Sequence, residues 1–210
     1  VTGNFDPDYL DVIIRENQNS KEFPKYLNPI KIKPKEKETV NEERVTVNGN
    51  VTTPKLRIAY KIKKSSLGNI SDMEKLVYTR IILNANFGTT SDIKERLLDS
   101  NLISKLSTNA YLVDDFLIIN INAETKYPNE IEKRLKENYD HMDLTPKRLE
   151  RRIRCNIADF IYGLDDIEYL NNMIQDNIMT HNKFITNTYD IIKSLNMDTA
   201  SKVIEDLKAY

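Results

Sequence analysis

Between Lys55 and Ala123 the apolar residues change their spacing twice, and no other feature constrains the fold as strongly. Leu56, Ile58, Tyr60 and Ile62 alternate with Arg57, Lys61 and Lys63. A period of two places the two sets on opposite faces of a half-buried strand. At Ser71 the spacing becomes helical. Ser71-Asp72-Met73-Glu74 has the form of a capping box, in which a hydroxyl and a carboxylate satisfy each other's backbone N–H groups. The helix it opens should run to about Phe87. Met73, Leu76, Val77, Ile81 and Asn84 share one face of it, while Ile82, Leu83 and Ala85 add apolar surface on the other sides. A helix apolar on several sides belongs at the centre of a domain. Gly88 ends it, and Ser91 is expected to cap a second short helix with Ile93, Leu97 and Leu98 as its apolar residues. Strand patterning then returns over Ser107–Val113 and Phe116–Ala123, joined at Asp114-Asp115. The second of these is apolar on both faces, as an interior strand is.

Helices should fill the rest. One has Pro128 near its start and Ile131, Leu135 and Met142 along one side. Another opens at Thr145-Pro146, an N-cap followed by a proline whose missing N–H costs nothing there. Its stripe is Leu149, Ile153, Ile157, Phe160 and Leu164. Two stretches follow, at about 166–181 and 184–195. A last helix starts near Asp198 with Val203, Ile204 and Leu207 inward. Strand, helix, short helix, two strands and several helices make an α+β fold: an antiparallel sheet with helices packed on one face.

The first 54 residues read differently. Val1–Phe5 resembles the last residues of a strand, and Asp6-Pro7 opens a short helix with Leu10, Ile13 and Ile14 as its stripe. Residues 1–22 are therefore expected to be the tail of a preceding domain. Residues 23–54 read as a linker, with Pro24, Pro29 and Pro34 favouring extended backbone. Val45, Val47 and Val51 around Asn48-Gly49 predict a small hairpin within it. Residues 55–210 form the C-terminal α+β domain, which stops without a closing strand.

Chemistry is sparse. Two histidines, His141 and His181, cannot supply a zinc ligand set alone, and no His-x-x-Glu-His or His-Glu-x-x-His occurs. The five glycines are scattered, so no phosphate cradle is present. Cys155 is the single cysteine, which fits a reducing cytoplasm. It sits on a helix and is expected to be a buried or half-buried inert thiol. Asp114-Asp115 and Asp165-Asp166 fall at turns. The apolar runs are far short of the roughly 20 residues that span a bilayer, and the net charge of −1 steers the chain toward neither nucleic acid nor membrane. One basic cluster remains: Lys147, Arg148, Arg151, Arg152 and Arg154. Cations near a helix start oppose the dipole. The cluster is either a solvated face paired with Glu150 and nearby carboxylates, or a face for an acidic partner through Arg148, Arg151 and Arg152. Aromatic rings are not interleaved with it, which weakens a nucleic-acid reading.

Several segments, in order, resemble a known family. Val1-Thr2-Gly3-Asn4-Phe5-Asp6-Pro7 is similar to the "GDFDP" ending of a first domain. Pro54–Tyr60 resembles the opening strand of a second. Phe87-Gly88-Thr89-Thr90-Ser91-Asp92-Ile93 resembles a "GGGSSRLY" turn and helix, and Glu95–Ile103 resembles the "LREKGLAY" segment after it. The helix from Pro146 resembles "FERAKRQLLG". The family is that of the insulinase/pitrilysin-type zinc metallopeptidases, in particular bacterial members similar to the mitochondrial processing peptidase.

That resemblance implies a duplicated architecture, two α+β halves closing around a peptide, with zinc held only by the first. This chain would be the non-catalytic, peptide-binding half, with no catalytic residue, metal ligand or cofactor of its own. Zinc would belong to an upstream domain of the same polypeptide, the chief partner. A peptide substrate and a homo- or heterodimer are further implied partners; nucleic acid and membrane are not. In active members an Arg–Tyr pair from the "LREKGLAY" segment holds the substrate backbone. The corresponding positions here are Leu98 and Ser104, which cannot make the same polar contacts. The departure also admits a catalytically inactive partner subunit or a protein-interaction module of the same fold.

Overall fold

A computed structural model describes residues 3–22 and 36–210, and for Thr180 and His181 only the backbone. The chain divides into two compact units. One comprises residues 36–160 and 186–210, the other residues 1–35 and 161–185.

The larger unit is built on a three-stranded antiparallel sheet. Its strands are β1 (Lys55–Lys63), β2 (Lys105–Val113) and β3 (Phe116–Glu124), in the order β1-β3-β2. The strand that was apolar on both faces, β3, lies in the middle. Asp114, at φ 46°, lets β2 and β3 join through two residues. In the register, Leu56, Ile58, Tyr60 and Ile62 of β1 oppose Ala123, Ile121, Ile119 and Leu117 of β3, and β3 residues oppose Leu106, Ala110 and Leu112 of β2. All of these lie on one face, which is the core face.

Helix α2 (Asp72–Phe87) packs on β2 from that side, against α3 (Asp92–Asp99), α7 (Thr188–Ser194) and α8 (Met197–Lys208). Its capping box forms in both directions. The Ser71 hydroxyl and amide hold the Glu74 carboxyl below its ordinary pKa. Tyr78, Ile81, Ile82, Leu83, Ala85 and Phe87 are all buried, as expected of a central helix. Gly88 stops it without a left-handed conformation, at φ −72°. The reason glycine is needed is space: a Cβ there would stand 2.3 Å from the Asn84 carbonyl oxygen. Ser91 precedes α3 but does not cap it through its side chain; its hydroxyl donates to Gly88 O instead, at 2.7 Å.

Helix α4 (Pro128–Asp140) packs on β1. Ile131, Leu135 and Tyr139 are buried on it, and Met142 is buried just beyond its end. Helix α5 (Pro146–Leu164) starts with Thr145 Oγ1 accepting the Arg148 N–H at 3.3 Å. Helix α8 starts at Met197, beside the expected Asp198, with Asn196 Oδ1 capping it, and its Val203, Ile204 and Leu207 are buried. Helix α7 is shorter than the stretch expected at 184–195.

The hairpin expected around Asn48-Gly49 does not form. Residues 40–54 hold no strand, and Val47 is 83% exposed. A two-stranded ribbon with no face to bury is marginal in water. Side chains from residues 36–44 tie the chain before β1 down instead. Arg44 bonds to Glu132 and Asn129 of α4, Glu36 pairs with Lys61 at 2.6 Å, and Glu38 pairs with Lys63 at 2.7 Å.

In the smaller unit, α1 (Pro7–Asn19) begins with Asp6 accepting the N–H groups of Asp8 and Tyr9, as its sequence predicts. No residue of α1 is buried. Gly3–Phe5 form a bend, and Val1 and Thr2 of the expected strand ending lie outside the described residues, as do Pro24, Pro29 and Pro34 of the linker. Helix α6 (Ile167–His181) is capped by Asp166 and ends at Asn182 in the left-handed conformation.

Candidate functional site

The helices cover one face of the sheet, and the register fixes what the other presents. Lys55, Glu124 and Lys105 form one row across the three strands, and Arg57, Asn122 and Ser107 form the next. Alternation along each strand points these side chains away from the core. Together with Leu56 and Ala123 they line a cleft of about 180 Å³. Arg57 Nε donates to Asn122 Oδ1 at 2.9 Å, which fixes the guanidinium over the central strand. Farther along the same face, the Lys61 ammonium lies 4.6 Å from the centre of the Phe116 ring and is held by Glu36 and Lys37 O.

The two outer strands differ at their edges. Lys64 N–H donates to Asp115 O, and Thr125 N–H donates to Pro54 O. These two bonds set the antiparallel alternation: even-numbered residues of β1 turn their backbone groups to β3, and Arg57, Ala59 and Lys61 turn theirs outward. Among the described residues no backbone group pairs with those three on the outer side. On β2 the outward carbonyls of Leu106 and Ala110 accept from Lys94 Nζ, at 3.0 Å, and Arg80 Nε, at 2.9 Å. Side chains from α3 and α2 thus blunt the β2 edge.

The residues singled out from sequence fall in three places. Ser104 leads into β2, with its N–H on Glu124 O at 2.9 Å and its hydroxyl 3.5 Å from Glu124 Oε2. It therefore borders the cleft. Leu98 is 37% exposed near the end of α3 and does not line the cleft. The α5 arginines lie elsewhere. Arg148 bonds to Asp143 Oδ1 at 2.6 Å and to Ala85 O at 2.7 Å. Arg152 donates to Thr90 Oγ1 at 2.6 Å, and burial beside Arg151 and Arg148 lowers its pKa. Arg151 is exposed, and Arg154 pairs with Glu150. Cys155 is exposed, not buried as expected: it points off the apolar stripe, roughly 200° from Ile153 at the helical step. Sequence reasoning missed Lys55, Arg57, Lys105 and Glu124. Alternation marks each as outward, but only the register brings them together.

Among the described residues the donor set does not suit zinc. His141 follows α4, with Nδ1 2.7 Å from Glu137 O. Among the described residues no three His, Cys, Asp or Glu side chains converge as a zinc site requires. Also among them, no helix is long and apolar enough to cross a membrane.

No protein-family model and no curated protein matches the sequence. Solved structures do. A protein described as an M16-like peptidase from Alicyclobacillus acidocaldarius matches over 97% of this chain and 49% of its own, with TM-score 0.78 and 21% identity. A protease from Helicobacter pylori matches over 99% of this chain and 51% of its own, with TM-score 0.74 and 16% identity. The inactive peptidase domain of a zinc protease from Bordetella parapertussis matches over 78% of this chain and 90% of its own, with TM-score 0.56 and 12% identity. The chain spans about half the length of the first two. At these identities the likeness is one of fold: this chain has the fold of about half of an M16-like peptidase.

Proposed function

We propose that the chain is the non-catalytic, peptide-binding half of an insulinase-type zinc metallopeptidase, with the zinc in an upstream domain of the same polypeptide. The observation that carries this reading is the match of nearly the whole chain to about half of larger peptidases, joined by the match to an inactive peptidase domain. An extended peptide would add to the outer edge of β1, where Arg57, Ala59 and Lys61 present backbone donors and acceptors. Leu98 and Ser104 would stand where other members hold the substrate backbone. The exposed Cys155 thiol fits a cytoplasmic location.

The test is the coding sequence upstream of Val1 and the activity of the protein it encodes. The expected result is a His-x-x-Glu-His segment with a downstream Glu, and zinc-dependent cleavage of peptides that is lost when residues 55–210 are deleted. An upstream domain without those ligands would end the enzymatic part. A second reading, an inactive partner subunit, is favoured by Leu98 and Ser104 in place of an Arg–Tyr pair. Zinc-dependent proteolysis by the full-length protein alone would rule that reading out.

A further inference from the structure

We propose that the cleft on the open face of the sheet binds a carboxylate of an acidic peptide, with Arg57 as the principal contact. This names the substrate class of the peptide-binding reading above, and rests on it. Three cations, Lys55, Arg57 and Lys105, stand around one carboxylate, Glu124. That carboxylate offsets only one of the three charges. Its Oε2 lies near the Ser104 hydroxyl, and among the described residues neither Lys55 nor Lys105 has an ion-pair partner within 4 Å. The local field therefore favours an anion.

The shape of the site selects which anion. Asn122 occupies Arg57 Nε and, among the described residues, leaves the two terminal nitrogens as a planar fork. Such a fork matches the two oxygens of a carboxylate. Because Asn122 already orients it, less side-chain freedom is lost on binding. Glu124 in the middle of the row opposes a multiply charged phosphate, yet it can accept an N–H from a peptide backbone. Ser107 adds a hydroxyl. Among the described residues no aromatic ring lines the cleft, so bases of a nucleic acid would find nothing there to stack on. Among the described residues the outer edge of β1 beside Arg57 has no backbone partner, so a peptide extended along that edge would bring a carboxylate within reach of the fork.

The experiment is fluorescence anisotropy of the 210-residue chain with three labelled hexapeptides: a glutamate-rich one with an amidated end, a neutral amidated one, and a neutral one with a free C-terminal carboxylate. The glutamate-rich or the free-carboxylate peptide should bind at least ten times more tightly than the neutral amidated one, and which of them does identifies the carboxylate as side-chain or terminal. Arg57→Gln should weaken that peptide roughly ten- to a hundredfold, as loss of a charge-assisted pair implies. Arg57→Lys should restore part of the loss, and Arg154→Gln on α5 should change nothing. Arg57→Gln should melt at the wild-type temperature, since Arg57 is exposed. Equal binding of all three peptides, unaffected by Arg57→Gln, would overturn the acidic class and leave peptide binding standing. No binding of any peptide would end both. Tighter binding of a single-stranded oligonucleotide, lost in Arg57→Gln, would also overturn the proposal.

Discussion

The ring of Tyr60 lies flat on the ring of Tyr139, with centroids 3.9 Å apart and planes 8° from parallel. The stack joins β1 to α4, and the Tyr139 hydroxyl goes on to donate to Leu207 O of α8 at 3.0 Å. One fully buried side chain thus ties the sheet to two helices that are distant in sequence. Tyr139→Phe keeps the stack and strands a buried carbonyl, so it should cost about 1–2 kcal/mol. Tyr139→Ala removes the ring as well and should cost about 3–5 kcal/mol. Urea unfolding of the two variants checks the order; equal losses would mean that the ring contributes nothing.

The same pair sets a pH limit. Burial pushes Tyr60 up to about 12, with Asp140 and Glu132 adding their negative charge. Burial also raises Tyr139, followed by Tyr60 and Asp140. The folded state then holds these protons more tightly than the unfolded chain, whose tyrosines titrate near 10. Stability is complete below pH about 10 and falls as pH rises toward about 12. The urea midpoint should drop between about pH 10 and about pH 12, and drop less in Tyr60→Phe. An identical drop in that variant would show that other groups carry the dependence.

Much of this fold was legible in the sequence, because its signals were local. The capping box at Ser71–Glu74, the alternation of β1 and the two-sided apolar run of β3 each need only a few neighbouring residues. Tyr139 was missed although it extends the Ile131–Leu135 spacing by one more turn, since a tyrosine stripe reads as surface as easily as core. Val45–Val51 had a turn signal and alternation but no face to pack on, and that depends on residues far away. The cleft was illegible for a similar reason. Lys55 and Glu124 are neighbours only because β1 pairs with β3, across 68 intervening residues at this row, with no local cue to the register.

Gly88 tests a steric argument. An added Cβ would meet Asn84 Oδ1 at 1.9 Å and Asn84 O at 2.3 Å. The side chain can turn away, but the carbonyl belongs to the last turn of α2. Gly88→Ala should therefore destabilise by about 1–3 kcal/mol, as overpacking does. A thermal melt within error of wild type would show that the turn shifts freely.

Thr79 should behave in the opposite way. Its hydroxyl is buried in α2 and, among the described residues, has no hydrogen-bond partner. Burying an unpaired hydroxyl is unfavourable. Thr79→Val keeps the shape and removes the polar atom, so stability should rise by about 1 kcal/mol or hold level. A clear loss in urea unfolding would reveal a partner for that hydroxyl.

The segment between α4 and α5 is held by two side chains that converge on one residue. Asn86 donates to Asp143 O at 3.1 Å and accepts the Asp143 N–H at 3.2 Å, while Arg148 bonds the Asp143 carboxylate and Ala85 O. Asn86 is also buried and donates to Ile82 O. Asn86→Ala should cost about 2–3 kcal/mol, because it leaves buried backbone groups unpaired. Arg148 is partly exposed, so Arg148→Ala should cost less, about 1 kcal/mol. Since both anchor Asp143, the second loss should be smaller once the first is made, and the double variant should be more stable than the sum of the single losses by at least about 0.5 kcal/mol. Strict additivity in that cycle would mean that Arg148 acts independently of the turn. Its place would then be with Arg151 and Arg152 on a face open to an acidic partner.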